Sequence, residues 1–177
     1  IDIHIKDAIG RTWQCGTIQL DMSLPERFDL SYIDHNNSKQ RPVMIHRVVY
    51  GSIERFFGIL IEHFAGKFPL WLAPVQAVLL PMNDALISFA GEVREKFDSA
   101  GIRTEVDSRS ESLNKKVREA QLNKIPLVIT LGDREKEAGT LSVRTLEGKV
   151  RQGLTMEAFF DRVSAHIRER SRDPEIF

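Results

Sequence analysis

The sequence has one cysteine, Cys15, in 177 residues, which excludes an internal disulfide framework and a cysteine-rich zinc cage. It has no excess of charge: 25 basic and 25 acidic side chains cancel. A polybasic tail and an acidic solvating chain are thereby excluded. No apolar run approaches the ~20 residues that cross a bilayer, so no membrane partner is expected. No charged segment followed by an apolar one opens the chain as a secretory leader would. Four generic catalytic fingerprints are missing as well: GxGxxG, GxxxxGK[ST], HExxH and GxSxG. The chain enters a strand-like IDIHI directly at Ile1 and so reads as a piece of a longer protein.

What is present begins with a core-sized share of hydrophobic residues, 42%, which argues for a folded chain of one or two domains. The charge is uneven beneath its zero sum. Residues 103–151 hold 11 basic and 8 acidic side chains, net +3, whereas residues 1–66 hold 7 and 8, net −1. That positive stretch is open to two readings, a solvated surface or a weak nucleic-acid signal.

Two local grammars meet at Ala65-Gly66-Lys67-Phe68-Pro69, where a helical pattern stops at a glycine before a proline. The domains are placed at 1–66 and 75–177, with a linker over 67–74. Before the boundary, 1–5 and 12–20 read as strands, and 43–50 reads as a buried apolar strand interrupted by His46 and Arg47. Ser52 is a good N-cap. Ile53, Phe56, Phe57, Leu60, Ile61 and Phe64 then keep helical spacing on one face. An antiparallel sheet is expected there. After the boundary, strands over 75–81, 103–106 and 127–131 alternate with helices. These are a helix capped by Asn83, one marked by Leu113, Val117 and Ala120, and one capped by Thr155; a hairpin over 140–151 precedes the last. That rhythm predicts an α/β domain with a mixed sheet. The fold class is therefore α+β followed by α/β, with Ser171–Phe177 expected to fray.

Five histidines are scattered. His63 and His166 fall at exposed-looking helix positions, and His35 lies in a polar loop. A histidine inside a buried strand needs a partner, so His46 reads either as a satisfied core residue or as a metal ligand. Arg55 follows Ser52 by three residues and so sits in the first turn of a helix, where free N–H groups already favour anions. Its alternatives are a pair with Glu54 or Glu62, or a plain surface position.

The segments WQCGTIQLD at 13–21, PVMIHRVVYGSIERFFGILIEH at 42–63 and FPLWLAPVQ at 68–76 resemble the threonyl-tRNA synthetases, a family of class II aminoacyl-tRNA synthetases. The resemblance runs from Ile1 to about Arg170. GSIERF is similar to motif 3 of that class, and FPLWLAPVQ to the junction with the anticodon-binding domain. The resemblance implies the C-terminal part of an antiparallel catalytic sheet, followed by an α/β anticodon-binding domain.

It further implies that Arg55 contacts the ATP phosphates. His46 becomes the third protein ligand of a zinc ion whose other two ligands lie upstream of Ile1. Gln14, Cys15 and Gln19 are implied to line the amino-acid and adenylate pocket, with Ser52 beside it. Arg118, Glu135 and Arg144 fall at positions similar to the family's anticodon contacts, and Ser110 stands where the family pattern has an asparagine. The parent would activate threonine with ATP and Mg²⁺ and transfer it to tRNA(Thr), as a cytoplasmic homodimer. This chain alone would be inactive, because motifs 1 and 2 and two zinc ligands are missing, and its cut sheet would expose apolar edges. The rival reading is a non-catalytic tRNA-binding or regulatory module that reuses the fold.

Overall fold

In the computed structural model, residues 1–173 and 176–177 are described. The chain divides into two units, Ile1–Ala65 and Gly66–Phe177.

The first unit is built on a three-stranded antiparallel sheet. Its elements are β1 (Asp2–Lys6), β2 (Thr12–Asp21), α1 (Ser23–Arg27), β3 (Tyr32–Ile33), β4 (Lys39–Gln40), β5 (Met44–Val48) and α2 (Ile53–Phe64). The sheet order is β1-β2-β5, and β3 and β4 pair separately. The β1–β2 turn is fastened by Asp7, whose carboxylate accepts the backbone N–H of Ile9 and of Arg11. Helix α2 starts where sequence places it, because the Ser52 hydroxyl accepts the N–H of Arg55. It ends at Ala65 in the left-handed region.

One expectation for this unit fails, and one apolar stripe stays partly uncovered. Strand β5 is not buried: it lies at the sheet edge, and Val43, Ile45, Val48 and Val49 are all exposed. The apolar stripe of α2 is present, yet Ile53, Phe57 and Ile61 are exposed and Ile59, off that stripe, is the helix's buried residue. A three-stranded sheet has too little area to cover so wide a stripe.

The second unit carries a five-stranded mixed sheet. Its elements are β6 (Ala77–Pro81), α3 (Ile87–Ser99), β7 (Thr104–Val106), α4 (Leu113–Leu122), β8 (Leu127–Leu131), α5 (Asp133–Ala138), β9 (Thr140–Thr145), β10 (Val150–Thr155) and α6 (Met156–Arg168). The order is β10-β9-β8-β6-β7. β6 runs parallel to β7 and β8, and β9 is antiparallel to β8.

Alternation along β6 and β8 sorts two cores. Ala77, Leu79, Leu127, Ile129 and Leu131 pack with Phe97 of α3 and Phe159 of α6. Val78, Leu80 and Val128 face Ala120 of α4 on the other side. Phe97 and Phe159 stack with ring centres 4.8 Å apart.

Residues 67–74, read from sequence as a linker, are held to this unit. Arg103 donates to the carbonyls of Trp71, Ala73 and Pro74. Gln76, fully buried, donates to the Leu70 carbonyl and accepts the Arg103 N–H.

Asn83 does not cap α3; it precedes a 3-10 turn over Asp84–Leu86 and its side chain makes no capping bond. Thr155 does cap α6, accepting the N–H of Ala158. His166 is not exposed: both ring nitrogens are buried, without a hydrogen-bond partner among the described residues. The expected fraying of 171–177 is not seen at its end, where Phe177 stacks on Phe159 at 5.8 Å. Pro174 and Glu175, also within that stretch, lie outside the described residues. Among the described residues, no helix is long and apolar enough to cross a membrane.

Candidate functional site

In the first unit the sequence-predicted residues gather around β2. Arg55 leaves the first turn of α2 and lays its guanidinium over the Trp13 ring, 5.4 Å from the ring centre. Its Nη1 donates to the Gln14 carbonyl at 3.3 Å. Glu54, one of the partners considered for Arg55, instead accepts the Ser52 hydroxyl at 2.7 Å, and this holds its carboxyl below the usual range. Arg55 is exposed, as are Gln14 and Ser52. The Gln14 amide donates to Asp2 at 2.7 Å. Cys15 is buried and free of any disulfide. It lies under Gly51, where an added Cβ would stand 2.6 Å from the Cys15 carbonyl oxygen. Glycine at 51 is thus what lets the start of α2 approach β2.

Trp13 is the residue that sequence reasoning passed over. Its indole N–H donates to Asp7 at 2.9 Å, and Arg11 Nε donates to the same carboxylate oxygen at 2.6 Å. Arg11 covers Trp13 at 5.5 Å, so guanidinium groups of Arg11 and Arg55 both contact the indole. Burial pushes the Asp7 carboxyl up, but the bonds from Trp13 and Arg11 outweigh it and hold the group at about 2.

At the other end of β2, Gln19 pairs with His46 across the β2–β5 ladder. Both line a cavity of about 730 Å³ with Ile1, Asp2 and Asp21. His46 Nε2 lies 3.0 Å from the Asp21 carboxylate. Asp21 also accepts the N–H groups of Ser23 and Leu24. The bond from Leu24 is the larger cause, ahead of His46, of its lowered pKa. An imidazole backed by a carboxylate has the arrangement of a metal-binding histidine. Among the described residues no group of three His, Cys, Asp or Glu side chains could hold a metal. His46 with Asp21 therefore offers at most one histidine position to a metal and does not by itself make a metal site.

In the second unit, strand register places Arg144. It pairs with Val128, so it shares Val128's face, the one on which α4 packs. Beyond α4 that face continues over β9, where Ser142 and Arg144 stay half-buried. Arg144 Nη1 donates to the Gly148 carbonyl at 3.4 Å.

Lys116 and Ala120 mark the inner side of α4, and Glu119 flanks it against Glu105 of β7. Arg118 is exposed on the outer side, opposite Lys116 and Ala120. Glu135 folds back over the start of α5 and accepts the Gly132 N–H at 3.1 Å. Ser110 is exposed and lines a cavity of about 270 Å³ with Asn83, Arg109 and Lys116. Its loop is pinned by Arg109, which pairs with Asp107 and Glu119, each at 2.7 Å. The Arg109 bond is the main reason the Asp107 carboxyl stays below its usual range.

The sheet with its carboxy-terminal helix defines a class before it defines a relative. Residues 76–166 match the family model described as an anticodon binding domain. Residues 1–64 match the tRNA synthetase class II core domain (G, H, P, S and T). The chain belongs to the anticodon-binding-domain family of class II tRNA synthetases, with part of the synthetase core in front.

Within that class its relatives are specific. It is 74% identical to the threonine–tRNA ligase of Desulfosudis oleivorans over 177 residues, all of this chain and 28% of that protein. It is 69% identical to the threonine–tRNA ligase of Desulforapulum autotrophicum over 176 residues. The chain thus spans a little over a quarter of the length of these relatives, 28% in each case. Among solved structures, it matches the RNA binding domain of threonyl-tRNA synthetase from Cryptosporidium parvum. The TM-score is 0.81 at 35% identity, over 93% of this chain and 42% of that one.

Proposed function

We propose that this chain is the C-terminal part of a threonine–tRNA ligase. It would supply one arginine of the ATP site, one zinc ligand and the surface that reads the anticodon of tRNA(Thr). The observation that carries the reading is the match of the whole chain, both units in order, to threonine–tRNA ligases.

Arg55 is the proposed phosphate contact for ATP and its Mg²⁺. The capped start of α2 supports this, since helix N–H groups and a guanidinium together favour an anion. Gln14, Gln19, Ser52 and Cys15 would shape the pocket around the adenylate. His46 would hold zinc with two ligands from the rest of the protein. A zinc ion with an open position would engage both the amino and hydroxyl groups of threonine. A site that engages a hydroxyl rejects valine far better than one that fits shape alone.

Arg118, Glu135, Arg144 and Ser110 are the proposed contacts to anticodon bases, which are read on their exposed edges in single-stranded RNA. The resemblance also supports a cytoplasmic homodimer for the complete enzyme. The test is threonine-dependent ATP–pyrophosphate exchange by that enzyme. Arg55→Ala and His46→Ala are each expected to abolish most of it. Unchanged exchange in both variants would refute the assignment of the first unit.

A further inference from the structure

We infer that Trp13, locked by Asp7, is a positioning residue that aims Arg55 at the nucleotide. The inference rests on the proposed reading of Arg55 as the arginine that meets ATP. Three observations carry it, all within the first unit.

The first is the stack itself: the Arg55 guanidinium lies 5.4 Å from the Trp13 ring centre, within the range of an attractive cation–π contact. The second is that the ring cannot turn freely. Its indole N–H is bonded to Asp7 at 2.9 Å, and the Arg11 guanidinium also lies over the ring, 5.5 Å from its centre. The third is that Asp7 is itself immobile. Its side chain is 1% exposed, and it accepts from the Ile9 and Arg11 N–H groups, Arg11 Nε and Trp13. Order therefore passes from the β1–β2 turn through Asp7 to Trp13 and on to Arg55.

An exposed arginine on a free stem samples many rotamers, and a ligand that binds it must freeze them. Among the described residues, the Arg55 side chain makes one hydrogen bond, at 3.3 Å to the Gln14 carbonyl. That bond uses Nη1 and leaves the remaining guanidinium N–H groups to meet an anion. The indole face holds the guanidinium near it without using any of its donors. The arrangement lowers the cost of binding by ordering Arg55 in advance.

The experiment uses the complete enzyme and ATP–pyrophosphate exchange, with KM for ATP and for threonine measured separately. Trp13→Leu is expected to raise KM for ATP about tenfold, with KM for threonine changed less than about twofold. Trp13→Phe keeps an aromatic face and is expected to raise it only about two- to threefold. Asp7→Asn is expected to fall between them. In an Arg55→Ala background, Trp13→Leu is expected to add less than about twofold, because the two residues act as one unit.

Four results would overturn the inference. KM for ATP could be unchanged in Trp13→Leu while Arg55→Ala raises it. KM for threonine could rise as much as KM for ATP. The Trp13 effect could persist in full without Arg55. If Trp13→Leu does not fold, an unchanged KM for ATP in both Trp13→Phe and Asp7→Asn overturns it equally. An Arg55→Ala enzyme with unchanged KM for ATP would instead refute the reading of Arg55 itself, and that result is distinguishable from the others.

Discussion

Gly51 carries two separate constraints, and a paired substitution can measure them apart. Its φ is +65°, in the region that side chains avoid, and a Cβ there would stand 2.6 Å from the Cys15 carbonyl oxygen. Gly10, in the β1–β2 turn, has a φ of +84° but nothing within 4 Å of an added Cβ. Alanine at position 10 therefore meets only the left-handed conformation, about 1–2 kcal/mol. Alanine at position 51 meets that cost and a backbone clash as well. Overpacking against atoms that cannot give way adds about 1–3 kcal/mol, for a total of about 2–5 kcal/mol. Urea denaturation followed by tryptophan fluorescence gives both values.

The sequence has 2 tryptophans. Trp71→Phe leaves Trp13 as the reporter of the first unit. It costs little in polar terms, because the buried Trp71 Nε1 has no hydrogen-bond partner among the described residues. The expected order of stability is parent, then Gly10→Ala, then Gly51→Ala. A Gly51→Ala protein no less stable than Gly10→Ala would show that the approach of α2 to β2 does not constrain the site.

Other predictions concern both units. Gln76→Leu leaves the Arg103 N–H and the Leu70 carbonyl without the glutamine's bonds. It should cost about 2–6 kcal/mol in denaturant unfolding, and a loss below 1 kcal/mol would contradict the fastening role given to it. Asp7 is held at about 2 in the folded protein, against about 3.9 when unfolded. Its stabilisation is therefore present above pH 4 and is lost as pH falls from about 4 through 2. Acid titration of the first unit should show that loss, and Asp7→Asn should flatten it.

Much of the fold of the second unit is legible in sequence, because its central strands are buried on both faces and read as continuous apolar runs. The runs at 77–81 and 127–131 are buried strands, and Ser52 and Thr155 cap helices as their residue types suggest. Periodicity finds the stripe of α2 but not whether anything covers it, and Ile53, Phe57 and Ile61 are exposed. For the same reason β5 reads as buried although it is an edge strand. Helix α5 is six residues long, too short for a period to show, though Gly132 followed three residues later by Glu135 holds its capping signal.

Arg55 and His46 stand out in the sequence because their residue types and positions imply chemistry. Trp13 does not, because its partners Asp7 and Arg55 are set by a turn and a crossing that spacing does not encode. The face shared by Val128 and Arg144 likewise depends on strand register.

The central claim is that the second unit reads the anticodon of tRNA(Thr). The most direct measurement is binding of this chain to the tRNA(Thr) anticodon stem-loop and to one with an altered anticodon, across a salt series. The account predicts a preference for the cognate loop and an affinity that falls with salt. It also predicts a loss of about 1–3 kcal/mol on the cognate loop for Arg144→Ala, with little change on the altered one. Equal affinity for both loops, together with no effect of Arg144→Ala, would contradict it.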